Sequence, residues 1–209
     1  VNDNGDEFDN FSFMVSYSID TRDSARFTRS GFKTSLSTEV FVPGSDLEYY
    51  KVEFKTDSYF DINRKRDIVL RLKGQTRYGQ GYGGTSGLPF YDKFKAGGPK
   101  SVRGYEKNSL SPYDSANKPL GGDFMVAGTA EIIFKPPVDI KNLKTAFFAD
   151  FGRAYKDYDS FEFGDLKGSV GLSVNWLSPF GGISVSISTP LNSEAGDKTE
   201  GFQFNLGTS

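Results

Sequence analysis

The chain has 209 residues, a formal net charge of −2, and neither cysteine nor histidine. No disulfide scaffold or thiol chemistry is open to it, the usual general base and transition-metal ligand are missing, and its weak acidity argues against nucleic acid as a partner. Hydrophobic residues make up 36%, aromatics 15% and mean hydropathy is −0.46, bulk values that suit a soluble β-sandwich or lipocalin-like barrel. They equally suit a transmembrane barrel, in which only every second strand residue faces lipid and the lumenal residues lower the average. No run reaches the roughly 18 apolar residues that a helical span needs.

Twenty Phe and eleven Tyr against one Trp fit interfacial aromatic girdles, and 24 Gly fit turns and crowded lumenal positions. The first residues hold neither a basic nor an apolar leader region, so the chain reads as mature or cut from something longer.

In chain order, period-2 alternation predicts nine strands and no helix. Residues 11 to 21 set Phe11, Phe13, Val15, Tyr17 and Ile19 against Ser12, Met14, Ser16 and Ser18. Residues 31 to 42 present Phe32, Leu36, Val40 and Val42. Residues 49 to 62 set Tyr50, Val52, Phe54, Phe60 and Ile62 against Lys51, Glu53, Lys55 and Asp57, four charges that require a wet interior. Residues 67 to 79 set Ile68, Leu70, Leu72 and Tyr78 against Arg71, Lys73, Gln75 and Arg77. Residues 123 to 135 turn Phe124, Val126, Ala130, Ile132 and Phe134 outward and Glu131 inward. Residues 144 to 155 do the same with Phe147, Ala149 and Phe151 outward and Asp150 inward. Val170 to Trp176 and Ile183 to Ile187 alternate with Gly, Ser and Asn, and Phe202, Phe204 and Leu206 close the pattern.

The connections alternate in length. Asn63 to Arg66 and Ser178 to Gly181 are short, as periplasmic turns are, whereas residues 80 to 122 form a loop too long for a hairpin. Four prolines (Pro89, Pro99, Pro112, Pro119) and nine glycines between 81 and 122 argue against a regular strand pair within it. Leu88, Phe90, Tyr91, Phe94, Val102 and Tyr105 give it apolar side chains to pack, so it is expected to be ordered and tucked inside. Within it lies Val102-Arg103-Gly104-Tyr105, which makes Arg103 the leading functional candidate.

Other chemistries find little support. Without His or Cys, an enzyme would need a carboxylate dyad or a Ser-Lys pair, and Glu53, Asp57 and Asp61 read more simply as lumenal or turn charges; no catalytic residue is assigned. Asp3, Asp6, Glu7 and Asp9 lack the spacing of a calcium loop and read as a solvated acidic terminus, so no metal site is assigned either. A passive porin needs about sixteen to eighteen strands, more than this chain contains.

Several stretches resemble, in the same order, the BamA family of outer-membrane protein assembly factors. They are Pro43-Gly44-Ser45-Asp46 leading into Tyr49-Tyr50-Lys51-Val52, Leu88-Pro89-Phe90-Tyr91 followed by Gly97-Gly98, Ser101 to Tyr105, Phe148-Ala149-Asp150-Phe151-Gly152, Trp176-Leu177-Ser178-Pro179, and Phe202 to Gly207. The likeness covers essentially the whole chain. The Val-Arg-Gly-aromatic motif alone is shared with TamA and two-partner secretion transporters, which leaves an outer-membrane translocation pore as the alternative function.

The resemblance implies an all-β fold: residues 1–209 as the C-terminal part of an antiparallel transmembrane β-barrel, about nine strands of about sixteen, with 80–122 folded inward. It implies folding and insertion of β-barrel proteins into the bacterial outer membrane, with no cofactor. Lipid and nascent barrel proteins would be the partners, and accessory lipoproteins would bind through periplasmic repeats preceding Val1. It implies that Arg103 pairs with Glu131 and Asp150, either as a fixed latch or as a conformational element in client passage. The last strand, with Phe202, Phe204 and Leu206, resembles the sorting signal of bacterial barrels, whose terminal aromatic would follow Ser209, and would pair weakly with the first barrel strand. A closed nine-strand cylinder has no room for a forty-residue loop, so the Arg103 pairing is expected only within a larger barrel.

Overall fold

The computed structural model describes residues 10–25, 27–136, 138, 140–178 and 181–206. The acidic stretch with Asp3, Asp6, Glu7 and Asp9, the Pro179-Phe180 turn and Gly207 lie outside the described residues.

The strands are β1 (Ser12–Asp20), β2 (Gly31–Phe41), β3 (Tyr49–Asn63), β4 (Ile68–Gly81), β5 (Gly104–Tyr105), β6 (Phe124–Phe134), β7 (Leu143–Tyr155), β8 (Lys167–Ser178), β9 (Gly181–Pro190), β10 (Thr199–Glu200) and β11 (Phe202–Leu206). Nine of them form one sheet in the order β1-β2-β3-β4-β6-β7-β8-β9-β11, every pair antiparallel. These are the nine strands that the alternation predicts. The sheet is open, because β1 and β11 each pair with a single neighbour.

Register turns the alternation of each strand into continuous rows. Phe60, Leu70, Ile132, Phe147, Leu172, Ile187 and Phe202 face one another in turn across seven strands. Most are exposed, from 38% at Leu172 to 65% at Ile187. A one-residue slip would send this whole row to the other face, so the pattern fixes the register. On the opposite face Arg71, Glu131, Phe148, Gly171 and Ser188 make one row, and Lys73, Thr129, Asp150 and Ser169 the next. Phe124 faces outward as expected, yet it is buried, because Tyr155, Tyr158 and Phe161 close over it with ring centroids 5.3 to 6.3 Å away.

The polar face wraps around the loop between β4 and β6. Loop residues Leu88, Phe94, Ala96, Val102, Tyr105 and Leu110 form one buried cluster with Tyr49, Met125, Ala127 and Ala154 of the wall. Burying each large apolar side chain there contributes about 1.5 to 3 kcal/mol. Gly79 makes room for Leu88, since a Cβ at that position would lie 2.5 Å from the leucine side chain.

One expectation needs correction. Phe90 and Tyr91 do not pack in the core: they are 69% and 50% exposed, at the tip of a turn closed by the Asp92 amide donating to the Pro89 carbonyl, and they pack edge-to-face on each other. Among the described residues the loop builds no regular strand pair within itself, as expected; its β5 pairs instead with β10 just ahead of β11. Glycine and proline stop it from building a hairpin within itself, but leave it able to add a two-residue strand to another segment. The sheet is not a closed nine-strand cylinder. The open sheet keeps a concave face wide enough for the loop, and every wall residue that the pairing uses lies in this chain.

Candidate functional site

Arg103 sits at the bottom of the loop on the polar face of β6 and β7 and is 9% exposed; Glu131 and Asp150 are 5% and 3% exposed. Asp150 receives three bonds from Arg103: the backbone amide (3.0 Å) and Nε (2.7 Å) to Oδ2, and Nη2 (2.8 Å) to Oδ1. Nη1 lies 2.9 Å from Glu131 Oε1. The guanidinium lies flat on Phe148, its Cζ 3.4 Å from the ring centroid. Two carboxylates and an aromatic face thus saturate a planar cation, the geometry for which arginine rather than lysine is suited.

The rest of the motif fixes the backbone. Val102 is fully buried, and its carbonyl accepts from the Gly98 amide at 3.0 Å. Gly104 adopts φ +88°, and a Cβ there would lie 3.2 Å from Ser188 Oγ and 3.3 Å from Ser169 Cβ. Only glycine meets both demands at once. Ser169 and Ser188 are buried against it, and their hydroxyls have no hydrogen-bond partner among the described residues. Small wall residues are there to admit the loop backbone. Tyr105 is fully buried with its hydroxyl 3.4 Å from the Gly168 carbonyl, and burial, reinforced by Asp197 and Glu194, pushes its phenol up to about 12.

All three predicted latch residues therefore meet, with Val102, Gly104 and Tyr105 holding the arginine in place. Phe202, Phe204 and Leu206 do not join them. They project from the opposite face of β11, 61%, 54% and 68% exposed, across from Ile187, Val185 and Ile183.

Three further residues belong to the site. Gln203, on the polar face of β11 and 3% exposed, donates from Nε2 to the Tyr105 carbonyl at 2.7 Å and accepts from the Gly104 amide at 3.4 Å. Together with β5-β10 pairing and the Glu106 amide donating to the Lys198 carbonyl at 2.9 Å, it ties the motif to the terminal strand. Arg71 stands directly opposite Glu131 in register and places Nη1 3.2 Å from Glu131 Oε2, while Asp57 holds the same guanidinium by a fork of 2.8 and 2.9 Å. Phe148 is the stacking partner already described. Alternation gives all three an inward direction; it does not say which of many inward residues the loop touches.

Several wall charges beyond the latch are paired as well. Lys51 bridges Glu39 and Asp92 at 2.9 Å each, Tyr49 donates to Asp92 at 2.6 Å, and Glu53 holds Lys55 and Arg77.

An open antiparallel sheet, apolar on one face and gripping a long loop by a buried arginine on the other, defines a segment of a barrel with an internally latched loop. The Omp85 superfamily domain matches residues 1–209, and the chain belongs to that superfamily. It is 31% identical to outer membrane protein assembly factor BamA of Neisseria meningitidis over 93% of this chain and 28% of that protein. It is 30% identical to the factor of the same name from Nitratidesulfovibrio vulgaris over 92% of this chain and 25% of that one. The crystal structure of BamA from Haemophilus ducreyi lacking POTRA domains 1-3 superposes with a TM-score of 0.81 and 29% identity, covering 93% of this chain and 41% of that one. The chain thus spans well under half the length of these relatives.

Proposed function

We propose that this chain is the C-terminal part of the transmembrane barrel of an outer-membrane assembly factor, which folds and inserts nascent β-barrel proteins without catalysing a covalent reaction. The observation that carries this reading is the double attachment of the loop. The one motif is held through Arg103 by Glu131 of β6 and Asp150 of β7, and through its backbone by Gln203 of β11. Relatives matched over more than nine-tenths of the chain bear the assembly-factor name.

The mechanism follows from the two attachments. Among the described residues β11 pairs with β9 alone; in the parent its other edge would pair weakly with the first barrel strand, and opening there would offer backbone amides and carbonyls to template a client strand. The loop fills the concave face behind β11 and holds its upper end through β5-β10 pairing, so that edge is held in position while the lumen stays occupied. Burial of the client's apolar face in lipid drives the rest. The remaining strands and the periplasmic repeats that recruit accessory lipoproteins belong to the parent protein.

Arg103→Glu in the full-length parent tests the latch. It should place three carboxylates together, release residues 80–122 to trypsin, and lower the yield of a β-barrel client assembled into lipid vesicles. Wild-type assembly together with wild-type trypsin resistance would sink the latch.

A further inference from the structure

Three connections meet at the end of the sheet remote from the loop: residues 21–30, 64–67 and 135–142. Asp67 staples them, taking Lys144 at 2.7 Å and Arg29 in a short contact. Arg29 also forks onto Asp61 at 2.9 and 3.1 Å, and Arg22 onto Asp20 at 2.7 and 2.9 Å. The carboxylates Asp20, Asp61 and Asp67 are thereby used up in pairs within this end. Arg64, Lys65, Arg66 and Lys141 are left exposed and form no ion pair among the described residues; Arg64 is within electrostatic reach of Asp61, which Arg29 already holds.

These cations are presented on a fixed turn. Arg64–Arg66 form one 3₁₀ turn, capped where Asn63 Oδ1 accepts from the Arg66 amide at 3.1 Å and closed by Asp67 in the left-handed region at φ 55°. Apolar side chains run right up to it. Phe60 and Ile62 are 48% and 61% exposed at the end of β3, Phe134 stacks on Phe147 at 5.4 Å, and Val138 and Ile140 are each 48% exposed in the neighbouring turn. A hydrocarbon-facing band that ends within a residue or two of unpaired cations sets those cations at headgroup depth.

We propose that this end of the barrel docks on the phosphates of anionic phospholipids, with Arg64, Lys65, Arg66 and Lys141 as the binding cations and Ile62, Val138 and Ile140 seated at the acyl boundary. Short turns mark the periplasmic end of such barrels, so the lipid is that of the periplasmic leaflet. The inference rests on the membrane-spanning reading above, but not on assembly activity.

The test is native mass spectrometry of the full-length protein given equimolar phosphatidylglycerol and phosphatidylcholine. The wild type should retain phosphatidylglycerol in preference. The quadruple variant Arg64→Gln, Lys65→Gln, Arg66→Gln, Lys141→Gln should cut that preference by at least about tenfold, the effect already of one or two interfacial cations. Lys95→Gln with Lys118→Gln, in the long loop, should leave it unchanged. Trypsin resistance of residues 80–122 and heat-modifiable migration report that each variant is folded. The proposal is overturned if the folded quadruple variant keeps the full preference, or if it loses both lipids equally. Client assembly, measured separately, can fail or succeed without altering that result.

Discussion

The two ends of the sheet carry the same alternation and bury it differently. In β1 the residues of both faces are exposed, and in β2 and β3 the inward charges pair mainly with wall neighbours, as Glu53 does with Arg77 and Asp57 with Arg71. From β7 to β11 many inward residues are buried, among them Phe148, Asp150, Ser169, Ser173, Ser186, Ser188 and Gln203, and the loop motif lies against several of them. Alternation assigns a side chain to a face. What covers that face decides whether the side chain is solvated, paired or packed, and on the β7 to β11 side the loop covers it with an arginine, a glycine and a tyrosine.

The sharpest way to break this contrast is to set Asp150 against Glu131. Among the described residues Asp150 is bound through Arg103 alone, by three bonds, whereas Glu131 is shared with Arg71. Asp150→Asn should therefore cost about 3 to 5 kcal/mol of loop attachment, the range for breaking a buried pair. Glu131→Gln should cost clearly less, because Arg71 keeps Asp57. Trypsin cleavage within 80–122 and the midpoint of heat-modifiable migration would rank the two, and an equal loss would show that Arg71 does not share the load.

A smaller effect is expected at Gln203. Gln203→Leu removes two bonds to the loop backbone while preserving bulk, and should cost about 1 kcal/mol. Hydrogen exchange should quicken at Tyr105 and in β10 and β11 while β1 and β2 keep their rates. Faster exchange throughout the sheet would mean that Gln203 supports the whole wall rather than the terminal strand.

The smallest effect concerns pH at the upper end of β8 and β9. Burial works against the charged form of Asp197, but the Glu194 amide and the Lys167 ammonium at 2.9 Å outweigh it and hold the carboxyl below its ordinary 3.8. A depressed carboxylate stabilises the fold above its unfolded-state value, and that contribution is lost as pH falls through the lower folded value. Residues 191–201 should thus keep their exchange protection at pH 5 and begin to lose it only below about 3.8. Loss already between pH 6 and 5 would point to a different group.

Much of the molecule follows from its sequence. Nine strands, the face of nearly every strand residue and the inward direction of Glu131 and Asp150 are set by period 2, because successive side chains on a strand point to opposite sides whatever surrounds them. The Val-Arg-Gly-Tyr motif marks the loop residue that matters, because glycine at a left-handed position beside an arginine is a demand of local geometry. Tertiary structure alone decides the rest. Gln203 joins the site because the curved sheet brings it to a loop residue 98 positions away in sequence, and Arg71 because register sets it opposite Glu131, 60 positions away. Phe90 and Tyr91 stay outside because a turn tips them away from the core. Local periodicity carries direction but no distance, and contacts between remote segments exist only once the sheet has curved around the loop.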